Sequence, residues 1–323
     1  MTNSAQYGEQ HTSPADQEAD ALSRLSGVKF AKGHGIGNDF VLFEDAEEKR
    51  PVDAALAAAV CDRHRGLGAD GLIRAVRSQE LPEGRELLAQ EPRAEWFMDY
   101  RNADGSLAQM CGNGVRVFVD FLVHRGLVWL EPGEVLPVAT RSGIKNVERL
   151  ADGYAADLGP WRLSSPEEAE LRGVDSLVTA YALDVARPGL SISTGNPHTV
   201  VALATQEELV ELDLSRPPKV NPEPAEGANV EFALPRDPLV VDGVAAIAIR
   251  VHERGSGETL SCGTGACAAA AATRFWAGAN APDLWDVTVP GGTLRVRFIT
   301  APSGAEHIEL SGPAKIIAEG VVL

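Results

Sequence analysis

Trp96-Phe97-Met98-Asp99-Tyr100-Arg101-Asn102-Ala103-Asp104-Gly105-Ser106-Leu107-Ala108-Gln109-Met110-Cys111-Gly112-Asn113-Gly114 leads into a mainly apolar run over 115–123. The pattern returns as Ile247-Ala248-Ile249-Arg250-Val251-His252-Glu253-Arg254-Gly255-Ser256-Gly257-Glu258-Thr259-Leu260-Ser261-Cys262-Gly263-Thr264-Gly265, followed by an alanine-rich run over 266–272. Each copy reads as an alternating strand, a polar turn containing glycine, and Cys-Gly-x-Gly opening an apolar helix. Asn102 and Glu253 stand the same distance before their cysteines, so the copies share a register without gaps. One supersecondary unit used twice predicts two similar domains, with Cys111 and Cys262 facing each other across a cleft.

Outward from these copies the chain is rich in short strands, expected at 28–31, 40–44, 72–76, 199–202, 229–233, 287–289 and 294–299, with few helices. That balance predicts an α+β fold rather than a doubly wound sheet. The acidic stretch 79–95 reads as a surface insertion and the proline-rich stretch 216–226 as a loop. Residues 1–26 carry neither a basic start nor an apolar run, which excludes a secretory signal and predicts a disordered tail. No stretch approaches the roughly 18 apolar residues that span a bilayer, so a membrane partner is not expected and a cytoplasmic protein is. The net charge of −17 in 323 residues disfavours nucleic acid, whose phosphates need clustered Lys and Arg. A hydrophobic fraction of 44% is enough for a core in each domain.

Four cysteines without C-x-x-C spacing indicate neither a disulfide scaffold nor a metal site. For Cys61, inside the helical pattern 53–64, and for Cys267, the expected role is packing. The two cysteines of the repeat differ, because a helix N-terminus favours the thiolate and the following glycines let the backbone approach an anion. Inverting a stereocentre by proton transfer needs a base on one face of Cα and an acid on the other, and two like thiols meet that need. No phosphate-loop or dinucleotide fingerprint is present, and no cofactor is expected.

At these residues the chain resembles the diaminopimelate epimerase family, within the two-thiol racemase group that also includes proline racemase. The motifs are Gly35-x-Gly37-Asn38-Asp39-Phe40; Asn102-Ala103-Asp104-Gly105 with Cys111-Gly112-Asn113-Gly114-x-Arg116; Gly195-Asn196-Pro197-His198; and Glu253-Arg254-Gly255-x-Gly257-Glu258-Thr259 with Cys262-Gly263-Thr264-Gly265. The resemblance implies two domains, each a β-barrel-like sheet around a central helix, spanning 27–157 plus 312–323 and 158–311, with 310–323 returning as a strand to the first. It implies Cys111 and Cys262 as catalytic acid and base on a small amino acid, LL- or meso-diaminopimelate, in lysine and peptidoglycan biosynthesis. It implies Asn38, Asn102, Asn196, Asn229, Glu253 and Arg254 as substrate contacts, with Gly112, Asn113, Gly263 and Thr264 donating around the reacting carboxylate and amine. His198 is placed near the cleft. A homodimer is compatible with it.

Asn and Arg suit a zwitterion, since an amide both donates and accepts and a guanidinium clasps a carboxylate. Which carboxylate Arg254 would hold is open. Gly71 stands where many relatives carry Gln, so one distal contact is absent and water or a neighbouring side chain would replace it. Two other readings compete: a proline or hydroxyproline racemase using the same thiols, and a binding protein on the same fold. A phenazine-type isomerase would not need paired cysteines.

Overall fold

The computed structural model describes residues 21–323, which form a mixed α+β molecule whose strands make one continuous hydrogen-bonded sheet. The strand–turn–helix unit of the sequence is there twice. Strands Trp96–Asn102 and Val244–Glu253 lead into helices Gly112–His124 and Gly263–Ala277. In the first helix Val115, Val117, Phe118, Val119, Phe121 and Leu122 are buried, and in the second Ala266 to Ala272 are solvent-free. Both sit in one apolar cluster. A helix buried all round must be apolar all round, and alanine lets the strands of the second half close tightly on their helix.

Strand pairing repeats with the helices. Lys29–Gly35 and Asn38–Glu44 pair antiparallel, Asn38–Glu44 and Gly71–Arg77 parallel, and Gly71–Arg77 and Trp96–Asn102 antiparallel. Trp96–Asn102 then meets Val135–Thr140 in parallel, and Gly143–Leu150 and Gly153–Pro160 follow antiparallel. The second half gives the same order of senses through Arg187–Ser193, Pro197–Ala202, Asn229–Val241, Val244–Glu253, Leu284–Val289, Gly292–Thr300 and Glu306–Gly312. The halves join where Gly153–Pro160 pairs with Glu306–Gly312. The last strand, Lys315–Val321, returns to pair with Lys29–Gly35.

Two expectations need correction, and another, the surface stretch 79–95, gains a helix. Residues 1–20 of the expected tail lie outside the described residues, but its remainder is ordered: Ala21 and Leu25, one helical turn apart, are buried against Val41, Phe43 and Leu56. Arg24 adds an ion pair to Asp53 at 2.6 Å. The expected insertion at 79–95 holds a helix, Pro82–Gln90, and buries Leu81 and Ala94 against Val76, Phe97 and Ala139. The expected loop at 216–226 contains a short strand, Lys219–Asn221, paired with Ser176–Thr179. In the tail and the insertion a few apolar side chains find a surface that local composition does not reveal; in the strand of the loop only Val220 is partly buried, and backbone pairing makes the strand.

Candidate active site

Each repeated cysteine caps its helix. Cys111 Sγ accepts from the backbone N–H of Gly114 at 3.3 Å, and Cys262 Sγ accepts from that of Gly265 at 3.3 Å, both with extended backbone at the cysteine. The two helix N-termini abut. A Cβ built on Gly112 would lie 3.8 Å from Gly263 Cα, and one on Gly263 would lie 3.4 Å from the Asn113 backbone nitrogen and 2.9 Å from Leu310 Cδ2. A side chain at either glycine would crowd Leu310 Cδ2, at 3.0 Å from position 112 and 2.9 Å from position 263, while meeting the facing helix only at ordinary contact distance.

The fully buried Asn113 bridges the halves. Its Nδ2 donates to the Ser261 carbonyl at 3.2 Å and Oγ at 3.1 Å, and to Asn38 Oδ1 at 3.4 Å. Arg116, also fully buried, donates to Asn113 Oδ1 at 2.8 Å and to the Gly112 carbonyl at 3.2 Å, fixing the amide's orientation. Cys111 Sγ donates to Asn38 Oδ1 at 3.6 Å, and Asn38 Nδ2 donates to Asp70 at 2.8 Å. Asn38, Cys111, Gly112, Asn113, Cys262 and Gly263 therefore lie together where the halves meet.

On the Cys262 side the thiol sits 3.6 Å from Thr264 Oγ1, and the Thr259 hydroxyl donates to Glu253. Behind them His198 and Glu231 are both buried and paired at 2.7 Å through His198 Nδ1. His198 Nε2 meets Asn196 Oδ1 at 3.0 Å, and Asn229 Nδ2 lies 3.5 Å from Nδ1. Asn229 Oδ1 accepts the Arg254 backbone N–H at 2.9 Å. The Arg254 guanidinium, in contrast, is exposed and donates to the Glu226 carbonyl. Asn102 is held within its own turn, accepting from the Tyr100 hydroxyl at 3.0 Å and donating to Ser106 Oγ at 3.0 Å.

Sequence reasoning passed over Ser261, Tyr100 and Glu231. Glu231 could have been found, as a charged residue between Val230 and Phe232 at the buried end of a strand. A carboxylate there needs a partner.

The helix-cap expectation was of thiols shifted downward. The caps are in place, yet burial outweighs them. Burial pushes the Cys111 thiol up to about 11 against the opposing pull of the Gly114 and Asn113 N–H groups and Arg116. Burial raises Cys262 well above the ordinary thiol range, and the Glu253 and Glu231 carboxylates raise it further. Burial also lifts the Glu253 carboxyl, while Thr259 and Cys262 draw it back. Both thiols thus rest protonated, with Cys111 in the setting that better tolerates a thiolate.

The fold is racemase-like. It superposes on a probable proline racemase from Agrobacterium radiobacter with a TM-score of 0.60 at 15% identity, covering 92% of this chain and 93% of that one. A hydroxyproline epimerase from Agrobacterium vitis gives 0.59 at 14%, over 91% and 90%. Identity this low carries the fold alone. The chain belongs to the diaminopimelate epimerase family, whose model matches residues 30–163 and 190–316. It is 44% identical over 300 residues to the diaminopimelate epimerase of Streptomyces coelicolor, covering 91% of this chain and 94% of that protein. The enzyme of the same name from Thermobifida fusca is 46% identical over 91% and 98%. The chain is thus an isomerase of the kind that acts on amino acids.

Proposed function

We propose that this chain interconverts LL- and meso-2,6-diaminopimelate by proton transfer at Cα between Cys111 and Cys262, serving lysine and peptidoglycan biosynthesis. The observation that carries the reading is the pair of thiols, each capping a buried helix, at abutting N-termini from two halves of one repeat. In one direction a thiolate takes the Cα proton, forming S–H as C–H breaks. The opposite thiol then gives its proton to the other face of Cα, and the two residues exchange roles in reverse. The N–H groups of Gly112, Asn113, Gly263 and Thr264 would hold the reacting carboxylate, so the positive ends of both helices face the charge that develops there.

Asn38, Asn102, Asn196, Asn229, Glu253 and Arg254 complete the proposed substrate set. Asn38 touches the Cys111 thiol, and Asn196 and Asn229 converge on His198. The exposed Arg254 guanidinium spends one N–H on the Glu226 carbonyl and keeps others for a carboxylate. We take the halves as 27–157 plus 312–323 and 158–311, supported by the pairing of Lys315–Val321 with Lys29–Gly35. A cytoplasmic setting suits four free cysteines, and no helix among the described residues is long and apolar enough to cross a membrane. A homodimer is the assembly that accompanies the reading, checked by solution mass.

The test is incubation with LL-diaminopimelate in heavy water under reducing conditions. Solvent deuterium should enter Cα as the meso isomer accumulates. Turnover of proline comparable to that of diaminopimelate would move the chain to the proline racemase reading.

A further inference from the structure

Gly71 and Asn102 are opposite one another on antiparallel strands, and Tyr100 is two residues before Asn102 on the same face of the sheet. The Tyr100 side chain lies across Gly71. A Cβ there would sit 2.4 Å from Tyr100 Cε2, 3.0 Å from its hydroxyl and 2.8 Å from the Arg101 carbonyl, so the tyrosine occupies the space a side chain at 71 would need. Glycine is demanded by space alone, since Gly71 has no left-handed backbone. The ring is buried and meets Phe40 edge-on at 5.8 Å, which leaves the hydroxyl little freedom.

We infer that Tyr100 is a positioning residue for substrate binding, acting through Asn102, and that Gly71 is small in order to seat it. The hydroxyl donates to Asn102 Oδ1 at 3.0 Å while Asn102 Nδ2 donates to Ser106 Oγ at 3.0 Å. Held from both ends, the amide keeps one N–H and one oxygen lone pair for a ligand, in a fixed orientation. Burial raises the phenol well above its ordinary range, and Cys111 and Glu253 add to this, so it remains a donor at any working pH. The influence of those two groups on the phenol sets Tyr100 near the proposed catalytic centre. The ordered amide binds without the orientational loss a free one would pay.

The inference rests on the proposed substrate role of Asn102. Calorimetric binding of meso-diaminopimelate and steady-state turnover are measured on the full chain, on Tyr100→Phe, on Asn102→Ala and on the double variant. Tyr100→Phe keeps the ring and should raise both Kd and KM roughly 5- to 10-fold, the effect of one neutral hydrogen bond, with kcat within about twofold. Gly71→Ala, which displaces the ring, should raise them at least as much. In the Asn102→Ala background, Tyr100→Phe should add nothing, because its effect passes through that amide. Unchanged Kd and KM in Tyr100→Phe, or an undiminished effect without Asn102, overturns the inference. A wild-type chain that binds without turnover defeats the two-thiol reading, while the Tyr100 comparison still stands on Kd. One that does not bind defeats both.

Discussion

At the scale of single residues, the two thiols have the same geometry but different surroundings. Glu253 disfavours both thiolates, but Cys111 has two backbone N–H groups and Arg116 to oppose it, whereas Cys262 has Glu231 as a second carboxylate and only the Thr264 hydroxyl and Gly265 N–H in its favour. Burial lowers Arg116 to about 10, which leaves it charged near neutral pH, so Cys111 has the lower cost of ionisation there and is the better candidate for the resting base. Iodoacetamide should therefore label Cys111 before Cys262, as read by peptide mapping, because alkylation follows the thiolate fraction. With Cys111 raised to about 11, its labelling rate should climb close to tenfold per pH unit from 7 to 10. A plateau near pH 8 would mean that the helix cap, rather than burial, governs the thiol. Cys111→Ala and Cys262→Ala should each reduce interconversion by several orders of magnitude while circular dichroism stays native, since each removes one of the two proposed proton carriers.

At the scale of elements, each central helix begins on a glycine turn whose neighbours differ. A Cβ on Gly114 would meet the end of Met98 at 3.1 Å, a flexible side chain that can yield. One on Gly265 would come within 2.7 Å of Glu231 Oε1, a buried carboxylate held by His198 that has nowhere to go. Alanine gains roughly 0.5–1 kcal/mol over glycine inside a helix, whereas overpacking costs about 1–3 kcal/mol. Gly114→Ala should thus unfold near the wild-type temperature and Gly265→Ala several degrees lower, compared by thermal denaturation. These helix entries were legible in the sequence, because Cys-Gly-x-Gly before an apolar run writes a cap and its helix directly. The strands at 135–140, 143–150 and 153–160 were not, since their side chains gain burial from distant partners. The site was legible at Cys111, Cys262 and the adjoining glycines. The Asn113–Ser261 bridge, the Glu231 partner of His198 and the Tyr100–Gly71 fit were not, because each joins residues remote in sequence or across strands.

At the scale of the whole molecule, the halves exchange their closing strands. After the seventh strand of the first half the chain crosses to pair Arg162–Leu163 with Arg187–Ser193, the first strand of the second repeat. After the seventh strand of the second half it crosses back, and Lys315–Val321 pairs with Lys29–Gly35. The apolar cluster holding both helices is shared too, so the halves should unfold together, and until they do Cys61, Cys262 and Cys267 stay buried and Cys111 half-buried. That gives the molecule an alkaline weakness. Burial raises Cys61 to about 12, Cys111 to about 11, and Cys262 and Cys267 beyond the ordinary thiol range. A group whose folded pKa lies above its unfolded value adds stability that is fully present below the unfolded pKa and lost as pH rises toward the folded one. Unfolded thiols titrate near about 8.5, so the loss starts near pH 9 and reaches at most about 1.4 kcal/mol per thiol per pH unit. Cys61 isolates the effect, since it packs against Leu56, Val60 and Leu72 away from the paired thiols. Cys61→Ala should lower stability at pH 8 through lost packing, and the gap from wild type should narrow between pH 9 and 11, where only the wild type still has that thiol to titrate. Urea midpoints at pH 8, 9, 10 and 11 under reducing conditions measure it. A gap that stays constant across that range would show that Cys61 does not carry the raised pKa its burial implies.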